Sequence, residues 1–330
     1  MIQVRELSKT YRVFKRPPGL AAAVRSIFHR TYDEVHAVEK LSLDIAAGER
    51  VGFLGPNGAG KTTTLKMMAG LLHPSSGEVR VAGHVPKARS VEFLKAITLV
   101  MGQKQQLLWD LPPSETFAMN RAIYGVDEAE FNTTMGELTE LLELGSLVNT
   151  PTRNLSLGER MKCELAAALL HKPRVLFLDE PTIGLDVSMQ ATVREFVRRY
   201  NERYGATVLL TSHYMDDVLA LCPRVVVIDK GRLVFDGALD GLVRSVRPRK
   251  RVVLKFSREV NRADVEKFGA VTEHDPLRAA LEVSPDELQR AVGGAMQALP
   301  VADLVVEDPP LEDVLRDLFE RSRAERGAAR

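Results

Sequence analysis

The 330-residue sequence predicts an α/β fold followed by a smaller α+β unit, and three observations carry that prediction. First, Val51-Gly-Phe-Leu54 is a short apolar run of the kind that makes a buried parallel strand. It leads through a glycine-rich loop into residues 62–72, which have helical spacing and stop at the turn His73-Pro-Ser-Ser-Gly77. Second, Val175-Leu-Phe-Leu178 and Thr207-Val-Leu-Leu210 repeat the buried-strand pattern inside a stretch, 154–235, that alternates strand-like and helix-like segments. Third, beyond the basic, proline-containing joint Val246-Arg-Pro-Arg-Lys-Arg251, short strand patterns alternate with amphipathic helical ones.

Taken in order, Met1-Ile-Gln-Val4 opens as a strand, and residues 1–11 and 36–85 hold short alternating strands around the glycine loop. Between them, Pro17-Pro-Gly19 precedes Leu20, Val24, Ile27 and Phe28 at helical spacing, interleaved with Arg25, His29 and Arg30. Such a basic amphipathic helix can pack on its own domain, the favoured reading, or lie on a membrane or a partner. Residues 86–150 are helix-rich, as in Phe131 to Leu144. The first domain closes with Arg224-Val-Val-Val-Ile-Asp229, the turn Lys230-Gly231 and Leu233-Val-Phe-Asp-Gly237. The boundary is set at the basic joint, read as a solvated linker, giving domains 1–245 and 246–330. In the second, Val252–Phe256, Ala280–Val283 and Val301–Val306 read as three strands, with helices at 261–268 and 285–298. After Asp308-Pro-Pro-Leu311, the residues Leu311, Val314, Leu315, Leu318 and Phe319 form a helical stripe, read as core. The tail 321–330 is charged and alanine-rich.

The glycine loop reads Gly55-Pro56-Asn57-Gly58-Ala59-Gly60-Lys61-Thr62, a full match to the phosphate-loop pattern, and it sits between a strand and a helix as that pattern requires. Glycines let backbone N–H groups curl around an anion, and the helix N-terminus adds its positive dipole end. Lys61 is suited to neutralise β- and γ-phosphates, and Thr62, followed by Thr63, to ligate Mg²⁺ through its hydroxyl. The run 175–178 ends in Asp179-Glu180, carboxylates at the end of a parallel strand, where open α/β sheets bind ligands. Asp179 suits Mg²⁺ and Glu180 suits polarising an attacking water.

Between the two phosphate motifs lies Asn154-Leu-Ser156-Leu-Gly158-Glu159; Gln103 stands in Val100-Met-Gly-Gln103, Asp186 in Gly184-Leu-Asp186, His213 in Thr211-Ser-His213 and Tyr11 in Leu7-Ser-Lys-Thr-Tyr11. With these motifs, residues 1–245 resemble the ATPases of ATP-binding-cassette (ABC) transporters. The resemblance implies an α/β P-loop NTPase of ABC type: a RecA-like core with antiparallel β and helical subdomains, the helical one at about 86–160. It implies that Tyr11 stacks on adenine, that Gln103 joins Thr62 and Asp179 at the metal and reports to a membrane partner, and that Glu180 and His213 support hydrolysis. It implies further that Ser156 and Gly158 complete an ATP site held by a second subunit, and that Asp186 links the two sites. Leu157 and Glu159 depart from the family's LSGGQ wording. Ser156-x-x-Glu159 also reads as a capping box, so Glu159 is open between capping and the site.

The wording Met101-Gly-Gln-Lys, Trp109-Asp-Leu-Pro and Leu155-Ser-Leu-Gly-Glu-Arg160, with the Pro310-Leu-Glu-Asp-Val314 extension, resembles ABC-2-type exporter ATPases. That implies MgATP as substrate, a separate integral-membrane permease of ABC-2 type, a second ATPase subunit (a homodimer in the simplest case) and a peripheral place on the cytoplasmic face of the bacterial inner membrane. Composition agrees. Lys+Arg (45) and Asp+Glu (44) nearly cancel, leaving no overall basic charge to recruit nucleic acid. Cys163 and Cys222 lack metal-ligand spacing and read as buried reduced thiols. No apolar run reaches membrane-spanning length, and no signal peptide is evident, so a pore would be another polypeptide. The rival readings are a non-transport ABC ATPase acting on ribosomes or DNA, which usually needs two cassettes or long coiled coils, and an importer ATPase.

Overall fold

The structure is a computed structural model and describes residues 1–14, 32–102 and 104–328. β1 (Ile2–Phe14), β2 (Tyr32–Ile45) and β4 (Ser76–Val81) form an antiparallel sheet in the order β2-β1-β4. Ile2, Val4 and Leu7 of β1 and Leu41, Leu43 and Ile45 of β2 turn inward onto the core. β1 and β2 both run further than the apolar pattern foretells, because the paired ends carry exposed Tyr11, Val13, Tyr32 and Val35 held by cross-strand pairing rather than burial. The amphipathic helix read at Leu20–Phe28 lies outside the described residues.

β3 (Arg50–Leu54), β5 (Ile97–Met101), β6 (Val175–Asp179), β7 (Thr207–Thr211), β8 (Arg224–Asp229) and β9 (Arg232–Ala238) make a second sheet in the order β5-β6-β7-β3-β8-β9. Its pairings from β5 to β8 are all parallel. The middle strands are buried along nearly their whole length, as their unbroken apolar runs require. β5 falls within the range 86–160 read as helical. It is an edge strand of the main sheet, so the helical insert proper begins after it with α3 (Pro113–Tyr124), α4 (Glu128–Leu142) and α5 (Leu157–Leu169). Before it lie α1 (Lys61–Met68) and α2 (Val91–Ala96). α1 stops short of Leu72 because Gly70 takes φ +70°, where a Cβ would collide with the Pro86 carbonyl; the amides of Leu71 and Leu72 both turn back to the Lys66 carbonyl. After β6 come α6 (Val187–Tyr204) and α7 (Met215–Leu221).

Backbone contacts divide the chain into units Met1–Asp236 and Gly237–Arg330. The second holds α8 (Leu239–Val246), β10 (Lys250–Phe256), α9 (Arg262–Val265), β11 (Ala270–Asp275), β12 (Arg278–Val283), α10 (Leu288–Ala298), β13 (Val301–Glu307) and α11 (Leu311–Ala328). Its antiparallel sheet has the order β11-β12-β10-β13, four strands where the sequence reading gives three. β11 escapes the pattern because it is an edge strand that is exposed except for half-buried Val271 and His274. The helix read at 261–268 is only one α turn followed by a 3₁₀ turn. The stripe at 311–319 is core as read, with Leu311, Val314 and Leu315 buried. The basic joint is not a solvated linker. Arg247 pairs with Asp317 (2.6 Å), Glu282 (3.2 Å) and Asp313 (3.5 Å), while Lys250 pairs with Asp308 and Arg251 with Glu273, all within the second unit. No helix among the described residues is long and apolar enough to cross a membrane. Cys163 and Cys222 are buried, and burial pushes both thiols up to about 12.

Candidate active site

The chain leaves β3 at Leu54 and turns into α1 through residues that only glycine allows at two points. A Cβ on Gly60, at φ +104°, would collide with the Ala37 carbonyl of β2; one on Gly55 would collide with the Ile228 carbonyl of β8. The loop is thus wedged between two strands, with Asn57 and Gly58 exposed at its crest and Ala59 buried beneath, its amide donating to the Pro56 carbonyl (3.1 Å). Lys61 opens α1 and is only 8% exposed. Its ammonium donates to the carbonyls of Gly55 (2.6 Å) and Pro56 (3.2 Å). Burial holds its pKa below the ordinary lysine value, against the pull of Glu180 and Asp179. A buried cation hydrogen-bonded to neutral carbonyls at a helix N-terminus fits a phosphate.

β6 carries the acids to the same place. The Asp179 carboxylate accepts from Thr62 Oγ1 (2.9 Å) and from Thr211 Oγ1 (2.6 Å), so its two oxygens tie α1 to β7. The Thr62 hydroxyl beside a carboxylate is a set of hard oxygens of the type that holds Mg²⁺. Glu180 takes φ +55°, a left-handed conformation uncommon for a residue with a side chain. Its amide donates to the Thr211 carbonyl (3.0 Å) and hydroxyl (3.2 Å), which fixes that turn. Its carboxylate lies 2.8 Å from Nε2 of His213. Gln103 lies outside the described residues. Its neighbour Gly102 donates its amide to the Asp179 carbonyl (3.0 Å), and a Cβ there would collide with the Glu180 carbonyl.

Ser156 caps α5 with both halves of a capping box. It accepts from the Glu159 amide (3.3 Å), and Glu159 Oε2 accepts from the Ser156 amide (2.8 Å). Those bonds hold the Glu159 carboxyl below its usual range, and in this structure Glu159 caps the helix. Gly158 abuts Met189 of α6, where a Cβ would come within 2.8 Å of its side chain. Asp186 caps α6 by accepting from the same Met189's amide (2.9 Å). Ser156, Gly158 and Asp186 therefore share one corner, with Ser156 exposed. Tyr11 is paired across from Val35 in β2, exposed, with the Lys9 ammonium 5.3 Å from its ring centre. Thr63 follows Thr62 in α1 and is half-buried.

Asp217 escaped the sequence reading. It is fully buried in α7 and accepts from the hydroxyls of Thr182 and Ser212 (2.7 Å for the latter) and from Arg194 Nε (2.7 Å). These bonds fasten the residues flanking Glu180 and His213 to each other. Its only signal in the sequence was its place on the helix face shared with buried Val218 and Leu221.

Residues 38–183 match the family described as ABC transporter, and residues 248–307 match that described as EvrA-like ABC transporter, C-terminal domain. The chain is 36% identical to the ABC transporter ATP-binding protein NatA of Bacillus subtilis (strain 168), over 64% of this chain and 86% of that one. It is 31% identical to the daunorubicin resistance ATP-binding protein DrrA3 of Streptomyces coeruleorubidus, over 91% of this chain and 96% of the relative. Among solved structures, a dimeric ATP-binding cassette in a post-hydrolysis state with ADP and Pi superimposes with a TM-score of 0.59 at 23% identity, covering 72% of this chain and 99% of that one.

Proposed function

Since the chain belongs to the ABC transporter family of ATP-binding proteins, we propose that it is the ATP-hydrolysing subunit of an ABC-2-type exporter, pairing with a second copy of itself and driving a separate integral-membrane permease. The observation that carries the hydrolytic part is the convergence of Lys61, Thr62, Asp179, Glu180 and His213 at the ends of β3, β6 and β7. In this reading the loop 55–62 binds the β- and γ-phosphates through backbone amides and Lys61, and Tyr11 offers its exposed ring to adenine. Thr62, Asp179 and Gln103 would hold Mg²⁺, which supplies charge neutralisation at the phosphate oxygens when bound. Glu180 orients and polarises the attacking water, and His213 at 2.8 Å holds the carboxylate in place. Ser156 and Gly158 face the γ-phosphate of a partner's nucleotide, and Asp186, at the same corner, connects the two sites. ATP then favours closure because its γ-phosphate gains contacts only in the closed dimer.

The permease reading has its own support. A groove of about 600 Å³ lies against the segment after residue 103, walled by Leu94, Leu99, Ile123, Tyr124 and Gln106. Ile123 and Val91 stand exposed at it, apolar surface of the kind a partner covers. DrrA3, named for daunorubicin resistance, resembles this chain through both units, which favours export over import. A place on the cytoplasmic face of the membrane follows from that partnership.

Glu180→Gln keeps the shape and removes the base. The purified variant should bind MgATP, hydrolyse it at least about 100-fold more slowly, and elute as a nucleotide-bound dimer in light scattering. Unchanged turnover would sink the role given to Glu180. Affinity capture from membranes should bring down a polytopic protein; capture of ribosomal or DNA-repair components instead would overturn the transport reading.

A further inference from the structure

Two polar side chains of α6 extend the Asp217 network toward Asp186. Gln190 is buried and Arg194 mostly so. Arg194 Nε donates to Asp217 Oδ1 (2.7 Å), and its Nη2 donates to Gln190 Oε1 (3.0 Å). Gln190 Nε2 donates in turn to the Leu185 carbonyl (3.1 Å). Leu185 is buried, whereas the next two residues, Asp186 and Val187, are exposed. At the other end, Asp217 Oδ2 accepts from the hydroxyls of Thr182 and Ser212. Ser212 Oγ also accepts from the Tyr214 amide (3.0 Å), so both neighbours of His213 are held through one hydroxyl.

The loop 180–186 is built from two tight turns. The Ile183 amide donates to the Glu180 carbonyl (3.3 Å), and the Leu185 amide donates to the Thr182 carbonyl (3.2 Å). The network grips this loop at Thr182 and at Leu185, and grips the end of β7 at Ser212. An apolar set of similar volume would pack α6 on α7 without desolvating a charge pair. The polar set instead fixes three loop positions, and a buried network whose members are all bonded moves as one unit. We propose that Gln190 and Arg194 are positioning residues for ATP hydrolysis: they carry the placement of the Asp186 turn, set by a second subunit, to the Glu180–His213 pair. The proposal rests on the hydrolytic and dimeric reading given above.

The two ends of the relay have different tasks. Asp217 sets how Thr182 and Ser212 sit relative to each other. Gln190 adds the Leu185 carbonyl, one residue before Asp186, and its own amide donates to the Asp186 carbonyl (2.9 Å). Asp186 is therefore held to α6 on its carboxylate side by Met189 and on its backbone side by Gln190. Arg194 stands four residues further along α6, on the same helix face, and passes the connection to Asp217 on α7.

The test measures MgATP turnover, thermal melting and ATP-driven dimerisation in light scattering for the full-length protein. It compares wild type with Gln190→Met, Asp186→Ala, their double variant, Arg194→Lys and Glu180→Gln. Methionine fills the glutamine's space without its amide, so Gln190→Met cuts the relay between Leu185 and Arg194. Its kcat should fall about tenfold, within the range of coupling residues, with KM for MgATP unchanged. In the Glu180→Gln background it should still form the nucleotide-bound dimer at the ATP concentration that Glu180→Gln alone requires. Asp186→Ala should also turn over more slowly, and the double variant no more slowly than the slower single, because both lesions break one path. Arg194→Lys keeps a cation beside Asp217 but gives up the planar fork that reaches Gln190; it should lose turnover likewise with little change in melting. Losses that multiply in the double variant would overturn the proposal, as would wild-type kcat in Gln190→Met, Arg194→Lys or Asp186→Ala. Dimerisation and melting temperature falling together with kcat in both Gln190→Met and Arg194→Lys would mark the pair as structural and overturn it too. An active Glu180→Gln would instead strike the hydrolytic reading itself.

Discussion

Asp217 shows how much one side chain can hold in this protein. Three donors converge on it, and all of its charge balance comes from Arg194, which is itself mostly buried. Replacing it by alanine strands a buried guanidinium and two hydroxyls. Asp217→Ala should lose roughly 3–5 kcal/mol in denaturant unfolding. Because Thr182 and Ser212 flank the Glu180–His213 pair, kcat should fall further than the affinity for ATP. Residue identity at the phosphate loop was legible because chemistry dictates it: glycines where φ is positive, lysine and threonine where the helix starts. Asp217 was not legible. A buried acid looks like any surface acid until the fold shows which way it faces.

At the level of elements, α5 makes two uses of one turn. Ser156 and Glu159 satisfy the helix-start amides, and the same turn presents Ser156 outward. The two uses separate by mutation. Glu159→Ala should cost roughly 0.5–1 kcal/mol in thermal or denaturant unfolding and leave most hydrolysis intact. Ser156→Ala should cost about as much stability but also prevent the ATP-driven dimer, read by light scattering with the Glu180→Gln background. The capping box was visible in the sequence because its spacing is local. Helix α1 ended early, and β11 went unread, for the opposite reason. Gly70 stops α1 where the Pro86 carbonyl crowds it, and β11 is a strand only because β12 pairs with it.

Across the whole molecule, the basic joint matters more than its composition suggested. Arg247 gathers Asp317, Glu282 and Asp313, fastening the exit of α8 to β12 and α11. Its guanidinium holds the Asp317 carboxyl well below the usual carboxylate range. A lowered folded pKa means that this stabilisation is complete above the unfolded value and is lost as pH falls through the folded one. Unfolding of the second unit should therefore become easier below about pH 4. Arg247→Ala should lower its stability by about 1–3 kcal/mol at neutral pH and flatten that acid limb, since the site is partly exposed and screened. Calorimetry of the full chain across pH would read both effects.

The sequence by itself determined the ligand class, the main parallel strands and the family of the chain, because those depend on local spacing, glycine geometry and unbroken apolar runs. The tertiary structure decided what the polar groups inside do: that Thr62 and Thr211 share the two oxygens of Asp179, that His213 meets Glu180, that Glu159 caps, and that Asp217 gathers Thr182, Ser212 and Arg194. Each of these is a contact between residues distant along the chain or a question of which face turns inward. Periodicity names a buried face, but only the packed partner fixes which hydrogen bond a polar atom on that face must make.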